Sequence, residues 1–406
     1  MAKQEILCGV DIGSSQISVV IGKVDPTKDV LEIISGARVS CRGVNGGVVV
    51  NIGETANGIK RAIEEAEEKT DEVIHSVYLG LRGSHIETVN NRGVVSISRT
   101  DKEITNEDVL NVIDNAKAIQ ISTDREIIDT VAQEFSVDRQ KGVHDPTGME
   151  GNYLEVFVHI VTASKTHLSN IYKAVAQAGF SVVEPVYGLL AVGEVVVSDE
   201  EKELGCLLID LGGQTTGLAV YSENSIRFSE ELQIGSDLIT RDISYALRTS
   251  IANAREIKER YGIASPSMVE KDEEIEFTGV DGRTVRKTSV KFLSEIIAPR
   301  VEEIFEKINE VVQDANFSDV IVPGGVIITG GGSLLGGILT ASEQVLGVSS
   351  RLGICHSVRG PQEIVSNPSF ATAIGLLKYR PSLESSQRPL FIRRIPLWRR
   401  LREMFR

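Results

Sequence analysis

Cysteine is scarce in this chain of 406 residues, which has four: Cys8, Cys41, Cys206 and Cys355. They are far apart and form no CxxC pair. This argues against a disulfide framework and a thiolate metal site, and leaves buried, reduced thiols as the reading. The six histidines show no HxH or HxxxH spacing, so zinc is not expected. No apolar run reaches the ~18 residues of a spanning helix. The opening MAKQEILCGVDIG lacks the apolar stretch of a signal peptide. No GxxxxGK[ST] occurs and no GxGxxG opens a strand–helix unit, which disfavours P-loop and dinucleotide folds. Positive charge is also short. Lys and Arg number 43 against 57 Asp and Glu, a net charge of −14, so nucleic acid is not an expected partner.

Hydrophobic residues make up 41% and charged residues 25%, which is globular composition. The length exceeds one ordinary core and points to two lobes or several subdomains. Apolar runs at Glu5–Ile12, Ile17–Val24, Leu31–Val39, Val48–Ile52 and His75–Leu81 read as strands. Ile59, Ala62, Ile63 and Ala66 mark the buried face of a helix over 54–69. The texture is α/β. From Arg82 to His159 it changes to short strands (Ile86–Val89, Gly93–Ile97, Glu126–Phe135, Leu154–Ile160) around a helix capped by Thr105, as in a small α+β insert. A helix is expected over Val161–Gly179. Farther on, helices are expected over 236–247 and 251–261, then a hairpin (Glu273–Phe277, Thr284–Lys287). Val290–Val312 reads as a helix kinked or interrupted at Pro299, and Val326–Thr329 as a buried strand.

The strongest signal is an internal repeat. Val10-Asp11-Ile12-Gly13-Ser14-Ser15 is echoed half a chain later by Ile209-Asp210-Leu211-Gly212-Gly213-Gln214-Thr215-Thr216, and both lead into apolar runs. Two related lobes, each opening with the same hairpin, explain the pattern. A nucleoside triphosphate needs backbone donors on phosphate oxygens and an oxygen-rich Mg²⁺ shell. Asp11 and Asp210 stand where metal-binding carboxylates would, with Asp210 also a catalytic candidate. The N–H groups of Gly13, Ser14 and Ser15 and of Gly212, Gly213, Gln214 and Thr215 could clamp phosphates from two sides. The turn Gly330-Gly331-Gly332-Ser333, with Gly331, Gly332 and Ser333 as binding candidates, would admit a base or ribose. Lys258, on the 251–261 helix, is either a solvated lysine or a lid over that ribose.

From Arg388 to Arg406 there are seven arginines and one acidic residue, a local +6 on a body carrying −20. Pro381–Arg388 reads as a polar linker. In PLWRRLREMFR, Leu397, Trp398, Leu401, Met404 and Phe405 share one helical face. Arg399 and Arg400 join Arg402 and Arg406 on the other. This pattern fits a helix lying in an anionic lipid surface; core docking and partner binding are the rival readings.

The two Asp-x-Gly hairpins, Gly330–Ser333 and Phe370-Ala371-Thr372-Ala373-Ile374-Gly375 resemble the actin/Hsp70/sugar-kinase superfamily. Tyr78–Ile86, Gly148-Met149 and Leu154–Ile160 narrow the likeness to the family of the cell-division protein FtsA. The resemblance implies a two-lobed α/β actin-like ATPase fold, divided as lobe 1 (1–83, 163–198 and a return at 358–380), an insert (84–162) for polymer contact, lobe 2 (199–232 and 301–357) with a small subdomain (233–300), a linker (381–391) and the terminal amphipathic helix (392–406). It implies ATP and Mg²⁺ as ligands, with turnover slow at most. It implies head-to-tail self-assembly at the inner face of the cell membrane at the division site. The implied partners are the FtsZ C-terminal tail, bound by the small subdomain near Arg300, and later division proteins. Glu184 would position Mg²⁺ or the attacking water. Three positions depart from the family pattern: Gln214 for a third Gly, Gly217 for a closing Asp, and Arg255 for a Glu. They put hydrolysis in more doubt than binding. A small-molecule kinase of the superfamily and a PilM-like pilus-assembly adaptor are the alternatives.

Overall fold

The computed structural model describes residues 5–25 and 30–379. Two five-stranded sheets form the lobes. In lobe 1, Glu5–Ile12, Gln16–Asp25 and Val30–Ser40 make an antiparallel meander, and Ser76–Leu81 and Ser181–Tyr187 add in parallel beyond the first strand. In lobe 2, Cys206–Leu211, Thr216–Ser222 and Ser225–Leu232 form the meander, with Val326–Thr329 and Ser350–Leu352 added in parallel. Both sheets run third, second, first, fourth, fifth. The repeat seen in the sequence is therefore a duplicated topology.

The burial pattern explains these strands. Every residue of Cys206–Leu211 is buried, as a strand covered on both faces must be. Leu31 and Ile33 are buried around exposed Glu32, which marks a strand with one wet face. The helix Ile52–Glu67 buries Ile59, Ala62, Ile63 and Ala66 against lobe 1, capped by the Asn51 side chain accepting from Glu54 N. Val48 and Val49 pair only with Val44 and Asn45 in a two-residue ribbon, and Ile52 already begins the helix; the longer strand expected there does not form.

The long helix runs unbroken over Val290–Asp314 with Pro299 inside it. A proline removes one helical hydrogen bond, but Leu293, Ile297, Val301, Ile304 and Ile308 keep one buried face across it, and the lobe 2 core holds the helix together.

The insert has its own core, built from Ile97, Ile104, Val109, Val112, Phe135, Val156 and neighbours. Its sheet runs Ile86–Ser96, Tyr153–Ser164, Arg125–Val137, Gln140–Val143. The two short runs around Gly93 are one strand. A Cβ at Gly93 would overlap the Val112 carbonyl, so glycine lets the helix Asn106–Ala116 press onto the sheet. Thr105 and Asp108 form a complete capping box at its start. Residues 161–164 finish a strand paired with residues 86–88 and 125–129; the helix begins at Lys165. Arg125 braces the two chain crossings, its Nη2 donating to the His85 and Thr162 carbonyls at 3.0 Å each.

All four cysteines are buried and unpaired. No helix among the described residues is long and apolar enough to cross a membrane. The linker and the basic amphipathic segment lie outside the described residues.

The return helix Ala371–Tyr379 closes lobe 1 by lying directly on Gly188–Val196. A Cβ at Gly375 would overlap the Ala191 carbonyl. Gly375→Val is expected to cost about 1–3 kcal/mol through overpacking, read as a lowered thermal midpoint. An unchanged midpoint would mean the two helices separate freely.

Candidate functional site

Each lobe's central strand ends in an aspartate where the sheet switches from hairpin to parallel pairing. Asp11 stands level with Gly80 and Ser18, and Asp210 with Thr329 and Gly217. Ligand crevices of α/β sheets lie at such switch points. The turns that follow are built alike. Gly13 N donates to Gln16 O at 3.0 Å, and Gly212 N to Thr215 O at 3.0 Å. A Cβ at Gly13 would come within 2.8 Å of that acceptor, and one at Gly212 within 2.7 Å. The same close approach demands glycine in both copies.

The two turns meet across the lobe boundary. Ser15 Oγ donates to Asp237 Oδ2 at 2.6 Å. Gln214 Oε1 accepts from Gly46 N at 2.8 Å, and Ser14 Oγ from Gly47 N at 2.9 Å. Gly213 lies against Ser15, where a side chain would collide. Behind this seam, Ser236 and Asp237 donate backbone N–H bonds to the Gly212 and Gly213 carbonyls. Arg255 Nη2 approaches Asp237 Oδ1 at 3.3 Å. Lys258 Nζ donates to Ser236 O at 3.0 Å, and burial holds its pKa below the usual lysine range. Two of the departures from the family pattern thus have structural work: Gln214 clasps the lobes, and Arg255 ties the 251–261 helix to Asp237.

Between the aspartates lies Arg82, which ends the apolar run Val77–Leu81. Its Nη1 pairs with Asp210 Oδ2, and its Nε lies 2.6 Å from Glu231 Oε1. The Glu231 side chain is only 1% exposed, and its Oε2 is buried with no hydrogen-bond partner among the described residues. Glycines make the space. A Cβ at Gly217 would overlap the Arg82 guanidinium, and one at Gly188 its aliphatic stem. The third departure, Gly217, is therefore the seat of an arginine. Gly330, at φ +81, lies where a side chain would overlap the Asp210 carboxyl. Thr372 Oγ1, from the return helix, donates to Asp210 Oδ2 at 3.2 Å. Ser333 Oγ donates to Gly330 O at 2.7 Å and shapes that turn.

Negative charge is crowded here. Asp11 keeps some surface as a residue, yet its carboxyl is enclosed. Burial first, then the charge of Asp210, pushes its pKa up to about 7, with Arg82 pulling the other way. Burial likewise raises Glu231, against the pull of Arg82. Among the described residues, no three or more His, Cys, Asp or Glu side chains converge as a complete metal site. Two carboxylates close enough for one to raise the pKa of the other suit a hard cation that brings further oxygens with it, as Mg²⁺ on phosphates does.

Most of the expected residues gather here: Asp11, Gly13–Ser15, Asp210, Gly212–Thr215, Gly330–Ser333 and, behind the seam, Lys258. Glu184 does not share their level. Val186 is the residue in line with Gly80 and Asp11, and Glu184 sits opposite Tyr78 beside a bulge in the edge strand. Arg300 holds Asp242 through Nε at 2.7 Å and Nη2 at 3.2 Å, and also pairs with Glu303, so it joins two lobe 2 helices. Sequence reasoning missed Arg82, Glu231, Asp237 and Thr372. A charged residue at the end of a buried run, as Arg82 is after Leu81, was the available signal. Nothing in the sequence marks Glu231.

Comparison with known proteins agrees with this geometry. A family model described as "Cell division protein FtsA" matches residues 207–375, and one described as "SHS2 domain inserted in FTSA" matches residues 83–162, the insert. The chain is 36% identical over 375 residues to Cell division protein FtsA of Pseudomonas aeruginosa, covering 92% of this chain and 89% of the relative. It is 37% identical over 384 residues to that of Neisseria meningitidis, with 95% and 92% covered. Among solved structures, the PilM-PilN type IV pilus biogenesis complex matches with TM-score 0.65 at 17% identity, over 91% of this chain and 97% of that one. MreB5 of Spiroplasma citri bound to ADP matches with TM-score 0.56 at 13% identity, over 93% and 96%. The structures share the actin-like fold, and the relatives settle membership: this chain belongs to the FtsA family of cell division proteins.

Proposed function

We propose that this protein binds ATP·Mg²⁺ between its lobes and uses it as a conformational ligand for self-assembly, tethering the FtsZ ring to the inner face of the cell membrane and recruiting later division proteins. The observation that carries the nucleotide part is the convergence of two equivalent turns, each with its own aspartate, on one lobe boundary. Two fold neighbours, both MreB5 of Spiroplasma citri, were solved with ADP and with AMPPNP.

In this reading Asp11 and Asp210 hold the cation, while Gly13–Ser15 and Gly212–Thr215 face the phosphates. Gly331, Gly332 and Ser333 border the nucleoside, and Lys258 lies near it. Magnesium neutralises the phosphates when bound. The seam bonds Ser15–Asp237 and Gln214–Gly46 span the lobes, so a ligand entering between the turns must exchange them for its own contacts. That exchange is how occupancy would bias lobe closure, and with it assembly. Slow or absent turnover fits the engagement of the nearby carboxylates: Glu231 by Arg82, Asp237 by Ser15 and Arg255. The small subdomain around Arg300 takes the FtsZ tail, the insert takes part in head-to-tail contacts, and the basic segment with Leu397, Trp398, Leu401, Met404 and Phe405 takes anionic lipid.

Loss of one cation-holding carboxylate in Asp210→Asn or Asp11→Asn is expected to weaken magnesium-dependent ATP binding roughly tenfold or more, measured by titration calorimetry. Unchanged affinity in both would remove the phosphate-clamp assignment.

Because the Asp11 pKa is raised to about 7, its protonated form prevails below that pH, and a bound cation must displace the proton. Magnesium-dependent binding should therefore strengthen by about tenfold from about pH 6 to about pH 8 and then level off. Asp11→Asn should flatten that rise, apart from the nucleotide's own titration. A variant that follows the wild-type curve would contradict the role of Asp11.

The full chain should co-sediment with phosphatidylglycerol vesicles, and a chain cut at Pro381 should not. Equal sedimentation of the two would place lipid binding elsewhere.

A further inference from the structure

Arg82 lies at the junction of three parts of the molecule. Within the crevice it is the cation among three carboxylates: paired with Asp210, bonded to Glu231, and close enough to oppose the raised pKa of Asp11. Its side chain is only 10% exposed, and Gly217 and Gly188 vacate the space it fills. In the chain it immediately precedes Gly83, at φ +116, where the insert begins. Gly83 is wedged against Gly46 and Gly47, the loop that Gln214 clasps from the other lobe.

Its second carboxylate leads back to the insert. Glu231 lies on the edge strand Ser225–Leu232, two residues from Ser229, and so on the same face. The insert docks along that strand. His159 Nε2 lies 2.8 Å from Ser229 Oγ, Thr88 Oγ1 donates to Ser229 O at 2.6 Å, and Asn90 Nδ2 donates to Arg227 O at 2.7 Å. Gln133 Nε2 adds a bond to Ile226 O at 2.7 Å. The crevice and the insert are thus read by two ends of one strand, and Arg82 grips the crevice end.

A guanidinium and a divalent cation on the one Asp210 carboxylate repel each other strongly where water is excluded, so a cation that takes Asp210 loosens the hold of Arg82. We propose that Arg82 is the crevice's resident counter-cation, released from Asp210 when a nucleotide-bound divalent cation takes that carboxylate, and that its release resets the insert on the strand Ser225–Leu232. This rests on the nucleotide reading above and adds its regulation. Arg82 here competes with the metal and is no phosphate ligand, since two carboxylates already engage it.

The test pairs Arg82→Met with Glu231→Gln, so that Glu231 is not left as an unpaired buried carboxylate, while Asp210 keeps its bond from Thr372 Oγ1. ADP binding is titrated against magnesium, and backbone hydrogen exchange is followed in the full chain. With the competitor gone, the magnesium needed for half-maximal ADP binding should fall by about tenfold. In the wild type, ADP with magnesium should change exchange over 84–92 and 225–232, and ADP with EDTA should not. In the double variant the magnesium response of those segments should vanish. An unchanged or higher magnesium requirement in the variant overturns the proposal, as does weaker ADP binding with and without magnesium, which would make Arg82 a phosphate ligand. The wild-type exchange experiment stands even if the variant does not fold. ADP binding that leaves both segments silent overturns the proposal alone, whereas a wild-type chain that binds no ADP removes the nucleotide reading beneath it.

Discussion

Everything in the crevice depends on a charge imbalance. Asp11 and Asp210 come from equivalent strands of two lobes, and the enclosed Asp11 carboxyl feels the Asp210 charge strongly enough to raise its pKa. Two buried carboxylates cannot both carry charge cheaply unless a cation lies between them. This chain supplies one in Arg82, and it also raises the Asp11 pKa to about 7 so that one site can stay protonated. The glycines around the crevice follow from that choice. Gly217 and Gly188 admit the guanidinium and its stem, and Gly330 admits the Asp210 carboxyl.

The insert is the second consequence. It has its own core and leaves lobe 1 through the short crossing braced by Arg125, yet it rests on lobe 2. There it covers the strand Ser225–Leu232, which would otherwise be an open sheet edge with unpaired backbone groups. Its contacts to Ile226, Arg227 and Ser229 go largely to backbone carbonyls, so they depend on where that strand lies. A shift of lobe 2 against lobe 1 must move the insert or break those bonds.

Much of the fold was legible in advance for a local reason. Buried parallel strands such as Cys206–Leu211 and Val326–Thr329 are continuous apolar runs, and the helices 52–67 and 106–116 carry helical periodicity with capping residues at their starts. Expectations failed where tertiary packing overrode local pattern. Residues 161–164 looked helical beside Lys165 but pair with both neighbouring strands, and Pro299 did not stop a helix whose one face is wholly buried. A bulge at Val182–Glu184 sets Glu184 opposite Tyr78 and Val186 in line with Gly80, a register no local pattern announces.

The sequence by itself determined the duplication, the two aspartate turns and the insert, because each is written in contiguous residues whose spacing reports local geometry. It also determined the basic amphipathic end as a pattern. Only the tertiary structure decided which charges meet. Arg82, from lobe 1, stands 128 residues before Asp210 and 149 before Glu231, both from lobe 2, and Gly217 gains its meaning only from the side chain that fills it. Local pattern fixes backbone conformation, whereas the balance of charge in a buried crevice depends on the folding of distant segments onto one another.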